Sequence, residues 1–250
     1  MKLLTILLFL VADIYALDIS SQSQAVNVAG KQRMLSYRMF KDHLMVSMDN
    51  NYKNPDGDMK KSMDSFNSAL DALGVFSKDA KVQTLIKEAR KEFDSVKSML
   101  AITITKENAI ESLDKTISLR TVSHKITIAL ESMNKKDKDG IVNKSGRLRA
   151  ISQVIASVYL LKVMGVESPK IDKTMKRVMG VFRETLDTLK VSPLRDDIVD
   201  KKLKKLESIY LFFDVMNDAK SFVPTIVNKK SNKMLKYSDE LTSIFVKKLK

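Results

Sequence analysis

Two arginines carry the most pointed chemistry in this chain, because each stands three residues after a glycine in a phrase that occurs twice. Residues 26–36 read V-N-V-A-G-K-Q-R-M-L-S and residues 142–152 read V-N-K-S-G-R-L-R-A-I-S, a shared pattern of V-N-x-x-G-[KR]-x-R-x-[LI]-S. A guanidinium offers paired in-plane donors and stays charged, which suits a planar oxyanion. A glycine one turn earlier permits close backbone approach, and a helix start adds a favourable dipole. Arg33 with Gly30 and Arg149 with Gly146 are therefore the candidate ligand-binding residues. Asn27, Asn143, Ser36, Ser152 and Arg38, in or beside the same phrase, are secondary candidates. Two arginines facing one another repel unless an anion lies between them, so a ligand should tighten the pairing of their helices.

Other chemistry is thin. The only histidines are His43 and His124, in no metal-ligand spacing, and both read as incidental helix residues. The stretch Asp137-Lys138-Asp139-Gly140 echoes a calcium loop. Taking Gly140 as its sixth position puts Lys135 first and Gly146 twelfth, where an acidic ligand is required, so it reads as a turn. There is no Gly-rich phosphate loop, no Ser/His/Asp set and no haem motif. Neither a metal, a cofactor nor an enzymatic activity is expected.

The elements that must position the arginines are helices. Gly30 and Gly146 stand 116 residues apart (146 − 30), and the same offset aligns a second block. Met59, Met63, Phe66, Leu70 and Leu73 fall on Met175, Met179, Phe182, Leu186 and Leu189, each series a stripe at helical spacing. Val82, Leu85, Ala89, Phe93, Val96 and Leu100 draw a third stripe, matched loosely by Leu203, Leu206, Ile209, Phe213 and Met216. Leu119, Val122, Ile126, Ala129 and Met133 form a fourth, answered by Met234, Tyr237, Leu241 and Ile244 after a one-residue slip. Turn residues punctuate these runs at Asn54-Pro55-Asp56-Gly57, Ser168-Pro169 and Ser192-Pro193, and Pro224 marks the start or a bend of the last helix.

The fold class is thus all-α, as two tandem four-helix bundles related by an internal repeat. Residues 17–133 form the first bundle, 134–140 a polar connector and 141–250 the second. Seven extended residues reach roughly 23 Å, so two bundles side by side as a pseudo-dimer, touching through Gln24–Met48 and Gly140–Met164, are topologically easy. An end-to-end stack is the competing arrangement.

Residues 1–16 read as a signal peptide: Lys2 supplies the charge, Leu3 to Ala12 is almost wholly apolar, and Ala16 offers a cleavage site. Zero cysteines mean no disulfide framework and no lipoprotein attachment. Export to the periplasm is expected, which argues against a nucleic-acid partner. The net charge of +14 favours anionic partners such as small anions, lipid headgroups or an acidic protein face.

Residues 25–38, A-V-N-V-A-G-K-Q-R-M-L-S-Y-R, resemble the A-x-N-x-A-G-x-x-R-M-x-S-x-R signature of the PilJ/NarX-type sensor domain. That domain is the periplasmic input module of nitrate/nitrite-sensing histidine kinases and of type IV pilus chemotaxis transducers. The resemblance implies a four-helix bundle that pairs through its first helix. In the nitrate sensors it implies one nitrate gripped by the motif arginine of each partner, helped by backbone near the motif glycine. Arg33, Gly30, Arg149 and Gly146 hold those positions here. The second copy departs, with Ala150, Gln153 and Val154 where the first has Met34, Tyr37 and Arg38.

Three readings remain open. The leading one is a soluble periplasmic sensor for nitrate or nitrite that acts with a membrane histidine kinase or chemoreceptor, possible as a homodimer. The others are an adaptor bundle that pairs with a receptor's sensor domain and a cationic protein that coats anionic membrane. The leader predicts a mature N terminus at or near Leu17, which N-terminal sequencing of exported protein checks. Intact Met1 in the membrane fraction would indicate an anchored form instead.

Overall fold

Polar caps followed by proline start several of the helices. In the computed structural model, which describes residues 17–137, 139–216 and 223–249, eight helices are present and no strand is found among the described residues. They are α1 (Gln22–Ser47), α2 (Pro55–Phe76), α3 (Ala80–Leu100), α4 (Ala109–Glu131), α5 (Ile141–Val163), α6 (Pro169–Lys190), α7 (Asp197–Met216) and α8 (Pro224–Lys248). Ser21, Asn54, Asp79 and Ser168 each accept a backbone N–H of the first turn they cap. Pro55, Pro169 and Pro224 sit in first turns, where no N–H is missed. The expected leader, residues 1–16, lies outside the described residues.

The polar connector is folded into turns, as the Asp137–Gly140 stretch reads, and uses little of its possible reach. Asn134 N–H donates to the Glu131 carbonyl (2.9 Å), Asp137 N–H to Asn134 (3.2 Å) and Gly140 N–H to Asp137 (3.1 Å). The Asp137 carboxylate caps α5, accepting the N–H groups of Ile141 (2.7 Å) and Val142 (2.9 Å), while Gly140 turns the chain at φ 63°. The stretch that echoed a calcium loop is thus a helix cap. Little reach is needed because α4 ends where α1 begins: Gln22 Nε2 donates to the Leu130 carbonyl (2.6 Å) and Asn134 Nδ2 to Ser23 Oγ (3.1 Å). Consequently α1 and α5 start at the same end of the molecule.

In each half the first helix packs against the second and the fourth, and the third closes the set; α1 and α5 also lie along each other. Both are therefore buried on nearly every side. The two halves share one continuous core, in which Phe66 and its 116-residue equivalent Phe182 are fully buried. Phe66 meets Phe93 of α3 at 4.7 Å between ring centroids, and Phe182 meets Tyr210 of α7 at 5.5 Å. Lys41, only 1% exposed, ties α1 to α8 through Asn228 (3.0 Å) and Asn232 (3.3 Å) and pairs with Asp42 (2.9 Å). The fourth stripe needs revision at its ends. Met133 lies beyond α4 and is exposed, while Tyr237 and Ile244 are half-buried beside the fully buried Met234, Leu241 and Phe245.

Phe66→Ala and Phe182→Ala should each cost about 3–5 kcal/mol of stability. Because the core is shared, each variant should unfold in one calorimetric transition. Two separated transitions, with only one displaced by either substitution, would contradict the shared core.

Candidate functional site

Where α1 and α5 lie together, the two motif glycines leave space that the two motif arginines fill. A Cβ on Gly30 would stand 3.2 Å from Nη2 of both Arg33 and Arg149. On Gly146 it would stand 2.8 Å from Arg149 Nη2 and 3.6 Å from Arg33 Nη2. The hydrogen bonds are reciprocal: Arg33 Nη2 donates to the Asn143 carbonyl (3.4 Å), and Arg149 Nη2 donates to the Asn27 carbonyl (3.3 Å). The predicted pair is thus brought together, but the glycines admit guanidinium groups and not ligand.

What faces each arginine from the fourth helix of its bundle differs. Arg149 is fully buried and bonded at short range, Nη1 donating to Asn27 Oδ1 (2.7 Å) and to Asp239 Oδ1 (2.9 Å). Arg33, 1% exposed, makes only long contacts: Nε to the Gly30 carbonyl (3.5 Å), Nη2 to Asn143, and Nη1 to His124 Nδ1 (3.3 Å). His124 and Asp239 are equivalent positions, 115 residues apart (239 − 124) on the slipped register of α4 and α8. No carboxylate lies within ion-pair distance of Arg33 among the described residues. Burial, with Arg120, Arg149 and Arg147 nearby, pulls its pKa down to about 9. Burial and the positive field of Arg33, Arg120 and Arg147 hold His124 neutral, with a pKa of about 4. Its Nδ1 then accepts from Arg33, which puts the ring proton on Nε2.

The secondary candidates divide. Asn27 and Asn143 belong to the seam; Asn143 Nδ2 also donates to Glu131 Oε2 (2.7 Å). Ser36 and Ser152 do not face it, because their hydroxyls donate to their own helix at Gln32 (2.9 Å) and Arg149 (2.6 Å). Arg38 is neutralised by Asp58 (3.1 Å) and Asp42 (3.7 Å).

Arg33 opens onto a cleft of about 410 Å³ between α4, α5 and α6, with α1 at its floor. Arg120 and His124 come from α4, Arg147 from α5, Arg177 from α6 and Tyr37 from α1, set among Ile117, Ile151, Val154, Val178 and Val181. No acidic residue lines it, and none of its four arginines has a carboxylate partner among the described residues. The nearby acids are engaged elsewhere, Glu131 with Asn143 and Asp114 with Lys170. Equivalent positions line a second cleft, of about 790 Å³, between α1, α2 and α8. There Lys31 replaces Arg147, Leu235 replaces Arg120 and Asp239 replaces His124, and Asp64 adds another acid. The charged residues of one cleft are all cationic, while its mate mixes Lys31, Arg38 and Lys236 with Asp64 and Asp239. Among the described residues no cluster of metal-ligating side chains occurs.

Reading the sequence missed His124, Arg120, Arg177 and Tyr37 as site residues. A partial signal existed: Arg147 is the second copy's version of the motif's [KR] position, and Arg120 and His124 lie one turn apart on α4.

Residues 18–110 match the family described as PilJ, type IV pili methyl-accepting chemotaxis transducer N-term. The match covers α1 to α3 and the first residues of α4. A search of curated proteins gives no match, and neither does a search of solved structures. Over residues 18–110 the chain is thus similar to the N-terminal domain of chemotaxis transducers.

Two outcomes check this geometry. Unfolded chains protonate His124 near pH 6.5 whereas the folded site resists until about 4. Its neutral burial therefore contributes stability above pH 6.5 that is lost as pH falls toward 4. The stability difference between wild type and His124→Asn should be flat above pH 6.5 and shift in the variant's favour below it. A constant difference would mean that neither burial nor the arginines hold His124 neutral in the folded site. Gly146→Ala should push Arg149 off Asp239 and destabilise the fold by about 1–3 kcal/mol, read by chemical denaturation; an unchanged midpoint would show slack in the seam.

Proposed function

We propose that this protein is a ligand-binding input module that reads a small oxyanion, with nitrate and nitrite the first candidates that the motif suggests. It acts outside the cytoplasm with a membrane-bound histidine kinase or chemoreceptor. The observation that carries this reading is Arg33: buried, charged at neutral pH, without a carboxylate partner, and opening onto a cleft of three further arginines. Burying an unpaired charge costs several kcal/mol as an order of magnitude, and an anion in the cleft offsets that cost. The PilJ match over residues 18–110 supports the sensor role, and the leader-like residues 1–16 support export. No helix among the described residues is long and apolar enough to cross a membrane.

In this reading one motif arginine binds and the other is scaffold. Arg149 is held by Asp239 and Asn27, so the anion meets Arg33 from the cleft side and does not bridge the two motif arginines. Charge-assisted hydrogen bonds contribute roughly 1.5–3 kcal/mol each. Arg33→Gln should therefore weaken binding by about ten- to a hundred-fold, and Arg33→Lys should restore part of it. Arg149→Gln should mainly lower the melting temperature while leaving affinity near wild type. Calorimetric titration with nitrate, nitrite, sulfate and chloride at constant ionic strength provides the measurement. Equal losses of affinity in the Arg33 and Arg149 variants would return the anion to the axis between them, and no heat from nitrate or nitrite would remove those two candidates.

A further inference from the structure

We propose that the cationic cleft is built for an organic dianion with a short apolar body, a short aliphatic dicarboxylate; this rests on the reading that an anion meets Arg33 from the cleft side. Charge is the first argument. A monovalent ion satisfies one guanidinium well, yet Arg33, Arg120, Arg147 and Arg177 all reach this cleft without a carboxylate partner among the described residues. The mutual influence of these groups is direct: Arg120 and Arg147 both depress Arg33, and Arg177 and Arg147 both depress Arg120. One negative charge leaves most of that repulsion in place, whereas two carboxylates set apart on one molecule relieve it at both ends of the cluster.

Shape is the second argument. At about 410 Å³ the cleft falls in the size range of small-molecule sites, and a four-atom ion would fill a small part of it. Its walls between the cations are Ile117, Ile151, Val154 and Val178, which have nothing to offer an inorganic ion but would cover methylene groups. Tyr37 is 2% exposed, lines the floor, and its hydroxyl has no hydrogen-bond partner among the described residues. It is therefore free to donate to a carboxylate oxygen. The mate cleft supplies the contrast: Asp239 and Asp64 in its lining offset two of its three cations, Lys31, Arg38 and Lys236.

The test is calorimetric titration of the full-length protein, at constant ionic strength, with nitrate, inorganic phosphate, butyrate, succinate, glutarate and adipate. The preferred dicarboxylate should bind at least tenfold more tightly than butyrate, nitrate or phosphate. Arg177→Gln, at an exposed position that leaves the fold intact by circular dichroism, should weaken the dicarboxylate by about tenfold and butyrate by less than twofold. Tyr37→Phe should lower dicarboxylate affinity without changing its preference over butyrate. Nitrate or phosphate binding as tightly as every dicarboxylate would overturn this assignment while leaving the anion-sensing reading intact. Equal weakening of butyrate and dicarboxylate by Arg177→Gln would also overturn it. Absence of binding by every anion of the panel would remove both readings together.

Discussion

Two guanidinium groups held in the space of two missing side chains govern how the halves of this molecule meet. Gly30 and Gly146 let α1 and α5 approach, and Arg33 and Arg149 reach across to the carbonyls of Asn143 and Asn27. Like charges at such range repel, and burial away from water strengthens the repulsion. The seam is stable only if something outside it supplies negative charge. Each of the fourth helices presents one side chain to that task, which makes the residue at that position decisive for its arginine.

The repeats answer in opposite ways. Asp239 neutralises Arg149 and turns it into a fixed part of the core, with short bonds on Nη1. His124 stands in the equivalent place before Arg33 and is neutral, because burial and, after it, the surrounding arginines suppress its protonation. One arginine is therefore structural and the other is left to bind. The same division runs outward into the clefts, where Arg120, Arg147 and Arg177 surround one and acids are interleaved in the other. The two halves thus share a frame and differ in a few side chains, which neutralise one motif arginine and leave the other without a carboxylate partner among the described residues.

Much of the fold was legible in the sequence. The 116-residue repeat, the stripes around Phe66 and Phe182 and the punctuation at Pro55, Pro169 and Pro224 locate the helices, because burial on one face imposes a period that local sequence records. The connector read correctly as a polar turn, but the capping role of Asp137 depends on where α5 begins, and its short span on where α4 ends. The site was half legible. The motif named Arg33 and Arg149 and implied that they meet, but both look alike in the phrase, and their difference lies on helices far away in sequence. Arg120 and Arg177 sit on the polar sides of their helices, where a solvated lysine or arginine reads the same. Only packing reveals that they converge on one cleft without acids. Ser36 and Ser152 carried no mark of the intrahelical bonds that remove them from it.

The most direct measurement exchanges the decisive side chain. In His124→Asp a carboxylate oxygen takes the place of Nδ1, since both atoms are bonded to Cγ, and gives Arg33 the partner that Arg149 already has. Thermal melting of wild type and variant, each with and without succinate at fixed ionic strength, reads both consequences at once. The account predicts a higher melting temperature for the ligand-free variant and loss of most of the succinate-induced rise that wild type shows. An unchanged or lower melting temperature together with a full succinate response would contradict the claim that Arg33 is the unneutralised charge on which binding depends.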